Sequence, residues 1–346
     1  PSQFTAVGNT LYFSANDGIN GAELWKSDGT ESGTVMVKNI RSGSSSSSPT
    51  YLTAVGNTLY FQATDGTNGY ELWKSDGTAS GTVMVKDIYS GSSSSSPTSI
   101  TAVGNTLYFQ ATGNSIGREL FKSDGTASGT VLVKDIYSGS TSGLPGGFVF
   151  VGNTLYFSAY DGTHGHELWK TDGTASGTVM VKDIRGGSVG SGLLGITAVG
   201  NTLYFRADDG TNGRELWKSD GTASGTVMVK DINSGSGRSS PLYLTAVGNT
   251  LYFRADDGIN GAELWKSDGT ESGTVMVKNI RYGSSSSSLN HLTAVGNTLY
   301  FSASDGTNGS ELWALDPANI TGLSGGSGSS GGMTNVTGAT CTVSPA

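Results

Sequence analysis

Val7-Gly8-Asn9-Thr10-Leu11-Tyr12-Phe13 is the first of seven copies of one phrase, VGNTLYF, which returns at Val55, Val103, Val151, Val199, Val247 and Val295 with a constant spacing of 48 residues. A period of roughly 20 to 50 residues marks solenoids, propellers and arrays, in which each unit buries its apolar surface by stacking on its neighbours. Two further phrases keep step with it. Glu-Leu-Trp-Lys follows every copy, from Glu23-Leu24-Trp25-Lys26 onward, with Phe121 in place of Trp in the third and Ala314 in place of Lys in the seventh. GTVMVK or GTVLVK ends at Lys38, Lys86, Lys134, Lys182, Lys230 and Lys278, so the seventh copy lacks its last piece.

The second unit shows what one period encodes. Ser48 to Val55 reads as a first strand, stopped by the turn formers Gly56-Asn57; Thr58 to Ala63 alternates aromatic, branched and small residues as a second. Glu71 to Lys74 reads as a third, closed by Ser75-Asp76-Gly77-Thr78, and Val83 to Ile88 as a fourth. Asp-Gly is a strong turn signal because both residues tolerate positive backbone angles. Nothing in the unit keeps a 3.6-residue period. Four short antiparallel strands, the second and fourth apolar on both faces, predict a sheet held between two others, which is a propeller blade. The expected fold is therefore all-β, a seven-bladed β-propeller of four-stranded antiparallel blades over residues 1–316, followed by a Pro/Gly/Ser-rich linker (317–332) and a strand-like tail (333–346). The rival, an open solenoid, normally has shorter rungs and parallel strands and needs capping repeats that a closed ring does not.

Composition narrows the function classes. In 346 residues there are 54 glycines and only 14% charged residues, with a net charge of -8. The glycines fall at fixed places between apolar runs, which is turn chemistry rather than disorder. An acidic balance without a basic patch excludes nucleic acid and anionic membrane surfaces as expected partners. No apolar run approaches the roughly 18 residues needed to span a bilayer. The chain begins at Pro1 without an apolar leader, and its single cysteine, Cys341, has no partner in the chain. This fits a mature, exported bacterial protein.

ELWKSDGT and GTVMVKDI, as they stand at Glu71 to Thr78 and Gly81 to Ile88, resemble the repeats of the ELWxxDGT family of secreted bacterial proteins, and the resemblance covers residues 1–316. It implies a propeller-like, exported protein, surface-associated or part of an extracellular matrix. It supplies no catalytic residues, and beyond residue 316 it stops.

Up-and-down strand order places the Val-Gly-Asn and Ser-Asp-Gly-Thr turns on one rim, and the Asp-Gly-Thr-Asn-Gly turns and serine runs (Ser44 to Ser48, Ser92 to Ser96, Ser284 to Ser288) on the other. Loops on a rigid scaffold are where binding residues usually sit. Asp17, Asp65, Asp161, Asp209, Asp257 and Asp305 lie in glycine-rich turns beside asparagines, an oxygen-rich setting for calcium, although Gly113-Asn114-Ser115 breaks the series and plain turn chemistry explains the same pattern; no other cofactor is expected. His164 and His166 share a turn, but only His291 exists besides them, so they read as surface residues. Arg206, Arg214 and Arg254 could suggest a propeller glycosidase, which also needs a Tyr-Glu pair and a separate acid; they are read as solvated strand ends. Trp25, Trp73, Phe121, Trp169, Trp217, Trp265 and Trp313 are expected to anchor blade packing, each indole finding a partner for its N–H. The serine runs are either flexible loops or sites of O-linked sugar.

The tail is the exception to the repeat. After Trp313 the pattern is lost, leaving the seventh blade one strand short, while Asn335-Val336-Thr337-Gly338-Ala339-Thr340-Cys341-Thr342-Val343 alternates like a strand. The Gly/Ser run between them is flexible by composition, with a reach of roughly 15 to 18 Å for nine residues. A strand on such a tether is expected to pair with a neighbouring copy and build fibres; a strand at Asn319 to Leu323 in the same chain, or a surface anchor, are the alternatives. The sequence thus predicts a secreted, non-enzymatic structural or interaction propeller of the cell surface or matrix whose partner is a second copy of itself, with a glycan-binding propeller as the rival and a glycosidase behind it.

Overall fold

A computed structural model describes residues 1–307, 309–317 and 333–335. Its strands form seven antiparallel sheets of four, each in simple chain order. This is the seven-bladed β-propeller expected from the repeat, and among the described residues no helix is long and apolar enough to cross a membrane.

Blade 2 is built from Thr50–Val55, Thr58–Thr64, Tyr70–Ser75 and Val83–Lys86. Gly56, at φ +55°, holds the first central position of the hairpin between its first two strands, where a type II′ turn requires that angle. Leu59, Phe61 and Ala63 point one way from the second strand and are wholly buried against Tyr12, Leu24, Val37 and Ile40 of blade 1. Blade 6 repeats the arrangement, with Leu251, Phe253 and Ala255 packed on Tyr204, Leu216, Val229 and Ile232 of blade 5. Burial of each Leu or Phe contributes about 1.5–3 kcal/mol, so each interface is a small core in its own right.

The fourth strand stops at Lys86, two residues earlier than the apolar run suggests, and the reason is a buried carboxylate. Glu71 is fully buried; its Oε2 accepts from the Ile88 N–H (2.9 Å) and the Ser95 hydroxyl (2.6 Å), and its Oε1 from the Ser95 N–H (2.8 Å). Ile88 is thereby drawn out of the ladder. The same clasp forms around Glu23, Glu119, Glu167, Glu215 and Glu263. Lysines then bolt neighbouring blades together, as between blades 2 and 3: Lys74 Nζ donates to the Gly125 carbonyl (2.9 Å) and Lys86 Nζ to the Thr130 carbonyl (2.8 Å).

By contacts the chain divides into two units, one of Pro1–Gly165 with Trp169–Val179, the other of His166–Leu168 with Met180–Ala346. In the first, the opening strands of blades 1 to 4 touch one another in succession; in the second, those of blades 5 to 7 do the same.

Blade 3 departs from the pattern where Gly113-Asn114-Ser115 replaces the aspartate turn. Its second and third strands lengthen to Thr106–Gly113 and Ile116–Ser123, joined through Ser115 at φ +62°. In blade 7 the third strand, Glu311–Leu315, is followed by a closing strand, Met333–Asn335 of the same chain, with Trp313 opposite Asn335, Ala314 opposite Thr334 and Leu315 opposite Met333. The first residue of the run expected to reach a neighbour therefore pairs within its own blade. Val336 to Val343, and the alternative strand at Asn319 to Leu323, lie outside the described residues.

Trp73, Phe121, Trp169, Trp217, Trp265 and Trp313 are buried, and Trp25 is half-buried. The expected partner for the indole N–H exists in one blade, where Trp313 Nε1 donates to the Ala303 carbonyl (3.0 Å). In Trp25, Trp73, Trp169, Trp217 and Trp265 that nitrogen is buried without an acceptor among the described residues. Trp73 and Trp265 lie in the apolar clusters between blades, which offer few acceptors. Lys182 stands 5.9 Å above the Trp217 ring and Lys278 5.5 Å above that of Trp313, adding cation–π attraction between blades.

Candidate functional site

The seven copies differ from one another at the start of the first strand. Six of them continue as Thr-Ala-Val, whereas the two residues opening the strand read Ser2-Gln3, Thr50-Tyr51, Thr98-Ser99, Gly146-Gly147, Leu194-Gly195, Leu242-Tyr243 and Asn290-His291. The second of each pair sits in a β-bulge, where pairing with the second strand slips. Every one has a left-handed backbone, from φ +54° at Ser99 to +72° at Gly195, and five of the seven are not glycine. A side chain in that region costs about 1–2 kcal/mol, and such strain gathers where a residue is needed for something other than stability.

Neighbouring groups hold the bulge in place. Thr53 Oγ1 lies 3.1 Å from the Tyr51 carbonyl and 3.2 Å from that of Ile100 in the next blade, sharing its proton between them. Thr245 does the same for Tyr243 and Leu292. Tyr51 N–H donates to Gln3 Oε1 (3.2 Å), and Tyr243 Oη donates to Asn290 Oδ1 (2.6 Å), while the two tyrosines remain 45% and 41% exposed. The result is a set of exposed hydrogen-bonding or aromatic side chains on rigid backbone, Gln3 and Tyr51 in the first unit and Tyr243 and His291 in the second.

The facing position of the second strand also varies: Ser14, Gln62, Gln110, Ser158, Arg206, Arg254 and Ser302. Gln62 Nε2 donates to Thr50 Oγ1 (3.1 Å) and Gln110 Nε2 to Ser99 Oγ (3.3 Å). Arg206 and Arg254 are not the solvated strand ends that the sequence suggested, because each is half-buried, opposite Leu194 or Leu242, with its Nε shut away from water and without an acceptor. Burial, and then the Arg214 charge, hold the Arg206 guanidinium below its usual range.

The proposed calcium ligands are engaged by their own turns. Asp65 Oδ1 accepts from the Thr67 and Asn68 N–H groups, both at 2.8 Å, and Oδ2 from Asn68 Nδ2 (2.8 Å). Asp17, Asp209 and Asp257 repeat the arrangement; Asp305 accepts from the Thr307 N–H. In blade 4, His164 takes the place of the asparagine, its Nδ1 2.7 Å from Asp161 Oδ2. Hydrogen bonds of this kind hold Asp17, Asp65, Asp161, Asp209 and Asp257 below the ordinary carboxylate range, in Asp17 through Asn20 first and in the other four against the opposing effect of burial. Among the described residues, no group of three or more His, Cys, Asp or Glu side chains comes together to hold an ion.

The serine runs are not uniform: Ser44, Ser45, Ser92, Ser93, Ser284 and Ser285 are exposed, while one serine of each run is built into the scaffold. Ser47, Ser95, Ser191, Ser239 and Ser287 are completely buried in or beside the glutamate clasp, and Ser46 Oγ caps the Ala22 N–H (2.8 Å). Alternation cannot reveal this, because the runs belong to no strand. The bulge row does have a signal in the sequence: one column of the repeat in which Gln, Tyr, Ser, Gly and His replace one another two residues ahead of a Thr-Ala-Val that six copies share.

No family model matches the chain, and no curated protein matches it significantly. Among solved structures it is similar to a puromycin-hydrolyzing peptidase of Mycobacterium tuberculosis, with a TM-score of 0.52, 12% identity, and coverage of 91% of this chain and 51% of that one. A puromycin hydrolase S511A mutant complexed with PGG follows, with a TM-score of 0.51, 16% identity, and coverage of 97% and 53%. The chain thus spans about half the length of these peptidases. At such identities the likeness is one of fold.

Proposed function

We propose that this chain is a secreted, non-enzymatic interaction propeller of the cell surface or extracellular matrix, which binds its partner through the bulged edge of the first strands. One observation carries the reading: side chains that differ from blade to blade are held exposed on left-handed backbone, at Gln3, Tyr51, Tyr243 and His291. The repeated charged groups, by contrast, serve the scaffold. Glu71 and its counterparts close the blades, Lys74 and Lys86 join them, and Asp65 shapes its turn. A chain built this way offers a variable contact surface, with its clasp glutamates and turn aspartates given over to the scaffold. The test is binding of the purified protein to bacterial envelope and matrix preparations. Tyr51→Ala with Tyr243→Ala should weaken retention at least tenfold without changing the thermal midpoint by more than a few degrees; undiminished retention would overturn the reading.

Self-assembly remains a second reading, favoured by one observation. The last two strands of blade 7 end at Leu315 and begin at Met333, whereas the corresponding gap in blade 1 runs only from Ser27 to Val35. The longer tether would let Met333–Asn335 pair with the same edge of another copy, a domain swap.

A further inference from the structure

We propose that blades 5 and 6 carry a site for an acidic polysaccharide, its carboxylates held by Arg206 and Arg254. The proposal rests on the reading of the bulged edge as the binding surface and names what that surface takes in this unit. The two arginines occupy equivalent positions, 48 residues apart, on the second strands Thr202–Asp208 and Thr250–Asp256. The first strands beside them, Leu194–Val199 and Leu242–Val247, are in contact. The other five blades place Ser or Gln here, so the positive charge is local and not a requirement of the blade.

Among the described residues neither guanidinium has a counter-ion. Each Nε is buried there with no acceptor, while the side chain as a whole is only half-buried. The carboxylates on the same strands are otherwise engaged. Asp208 Oδ2 lies 3.3 Å from Arg185 Nη1 and its Oδ1 accepts from the Gly210 N–H; Asp256 Oδ1 accepts from the Gly258 N–H. Arg214, paired in register with Asp208, adds further positive charge at Arg206. A half-buried cation without a partner is unfavourable in the free protein, and the deficit is relieved by an oxyanion from outside, for whose planar geometry the guanidinium fork is well matched.

The surroundings select a sugar as the carrier of that anion. Tyr243 follows Leu242, the residue opposite Arg254, and its hydroxyl is pinned to Asn290, which leaves an exposed ring in a fixed orientation. Aromatic faces with neutral amide and hydroxyl groups beside them suit a sugar ring. Nucleic acid would need an extended basic track, which a chain of net charge -8 does not have. A polymer with one carboxylate per sugar presents spaced single charges to spaced single cations.

The experiment is calorimetric titration of the whole chain with a short oligouronate, its fully methyl-esterified form, and an oligoglutamate. The oligouronate should bind, more weakly as salt is raised, and the ester at least tenfold more weakly. Arg206→Gln with Arg254→Gln should lose on the order of 100-fold in affinity; glutamine already stands at this position in blades 2 and 3, and an unchanged thermal midpoint confirms that the variant folds. The proposal is overturned if the ester or the oligoglutamate binds as tightly as the oligouronate, or if the double variant binds like the parent. Loss of envelope binding in the tyrosine variants but not in the arginine variant would sink this proposal and leave the broader one standing.

Discussion

Glu71 shows how much one side chain decides. It accepts three hydrogen bonds in a site closed to water, so Glu71→Ala leaves the Ile88 and Ser95 N–H groups buried and unpaired, the Ser95 hydroxyl keeping the Tyr70 carbonyl (3.3 Å) as its acceptor. The expected loss is about 3–5 kcal/mol, measured by denaturant unfolding. Burial pushes the Glu71, Glu119 and Glu263 carboxyls up to about 7 and that of Glu215 to about 6, against the pull of their hydrogen bonds. Such a group takes up a proton on folding, so its stabilising effect is complete below the ordinary value of 4.5 and is lost as pH rises through about 7. The turn aspartates, lowered from 3.8, act the other way and lose their effect as pH falls. The thermal midpoint should therefore be highest near pH ~4–5 and decline towards pH ~8; a calorimetric profile that rises over that interval would contradict the assignment. At Tyr51 the balance is between stability and use. Tyr51→Gly relieves a left-handed tyrosine, as Gly147 and Gly195 already do in their blades, and should hold or raise stability by about 1 kcal/mol while binding falls. The glutamate was visible in the sequence as part of a repeated phrase, but its burial was not, because a strand-forming Glu-Leu-Trp-Lys reads equally well with the carboxylate in water.

At the scale of the element, the strands were legible and their ends were not. Alternation located all four strands of blade 2, while the fourth ended early because the Ile88 N–H is claimed by a side chain, a long-range competition that local pattern does not encode. The lysine bolts were hidden for the same reason: Lys26 and Lys74 look like solvated strand residues until the next blade's turn is brought against them. Blade 6 supplies an internal control. Lys266 has no hydrogen bond among the described residues, since the turn that should accept it is not repeated in blade 7. Lys74→Ala should thus cost about 1–2 kcal/mol and Lys266→Ala close to none, by thermal or chemical unfolding. Equal losses would show that the lysines act through something other than these carbonyls. The arginines of blades 5 and 6 were singled out from sequence but read as solvated, because a period-two pattern cannot tell a residue facing the next sheet near its inner edge from one facing water.

For the whole molecule, the repeat was enough to give the number of blades and their topology, since each period carries complete instructions for one sheet. The seventh sheet was the hard case, its last strand being drawn from a segment unlike the other six. Pairing of Met333–Asn335 with Glu311–Leu315 in the same chain predicts that a chain ending at residue 332 exposes a strand edge. Light scattering should then show increased association of the truncated chain and a lower midpoint; a truncated chain that is strictly monomeric, beside a full-length chain that polymerises, would instead establish exchange of that strand between copies. The bulge has a wider consequence. Because its backbone is braced in blades 2 and 6 by a threonine hydroxyl that also reaches a carbonyl of the next blade, the bulge residue there behaves as a letter written on a blank form. Replacing Tyr243 by the serine that blade 3 carries at this place should remove a contact from one blade without redesigning it. Specificity in such a chain can drift by tandem duplication and single substitutions, leaving the architecture untouched.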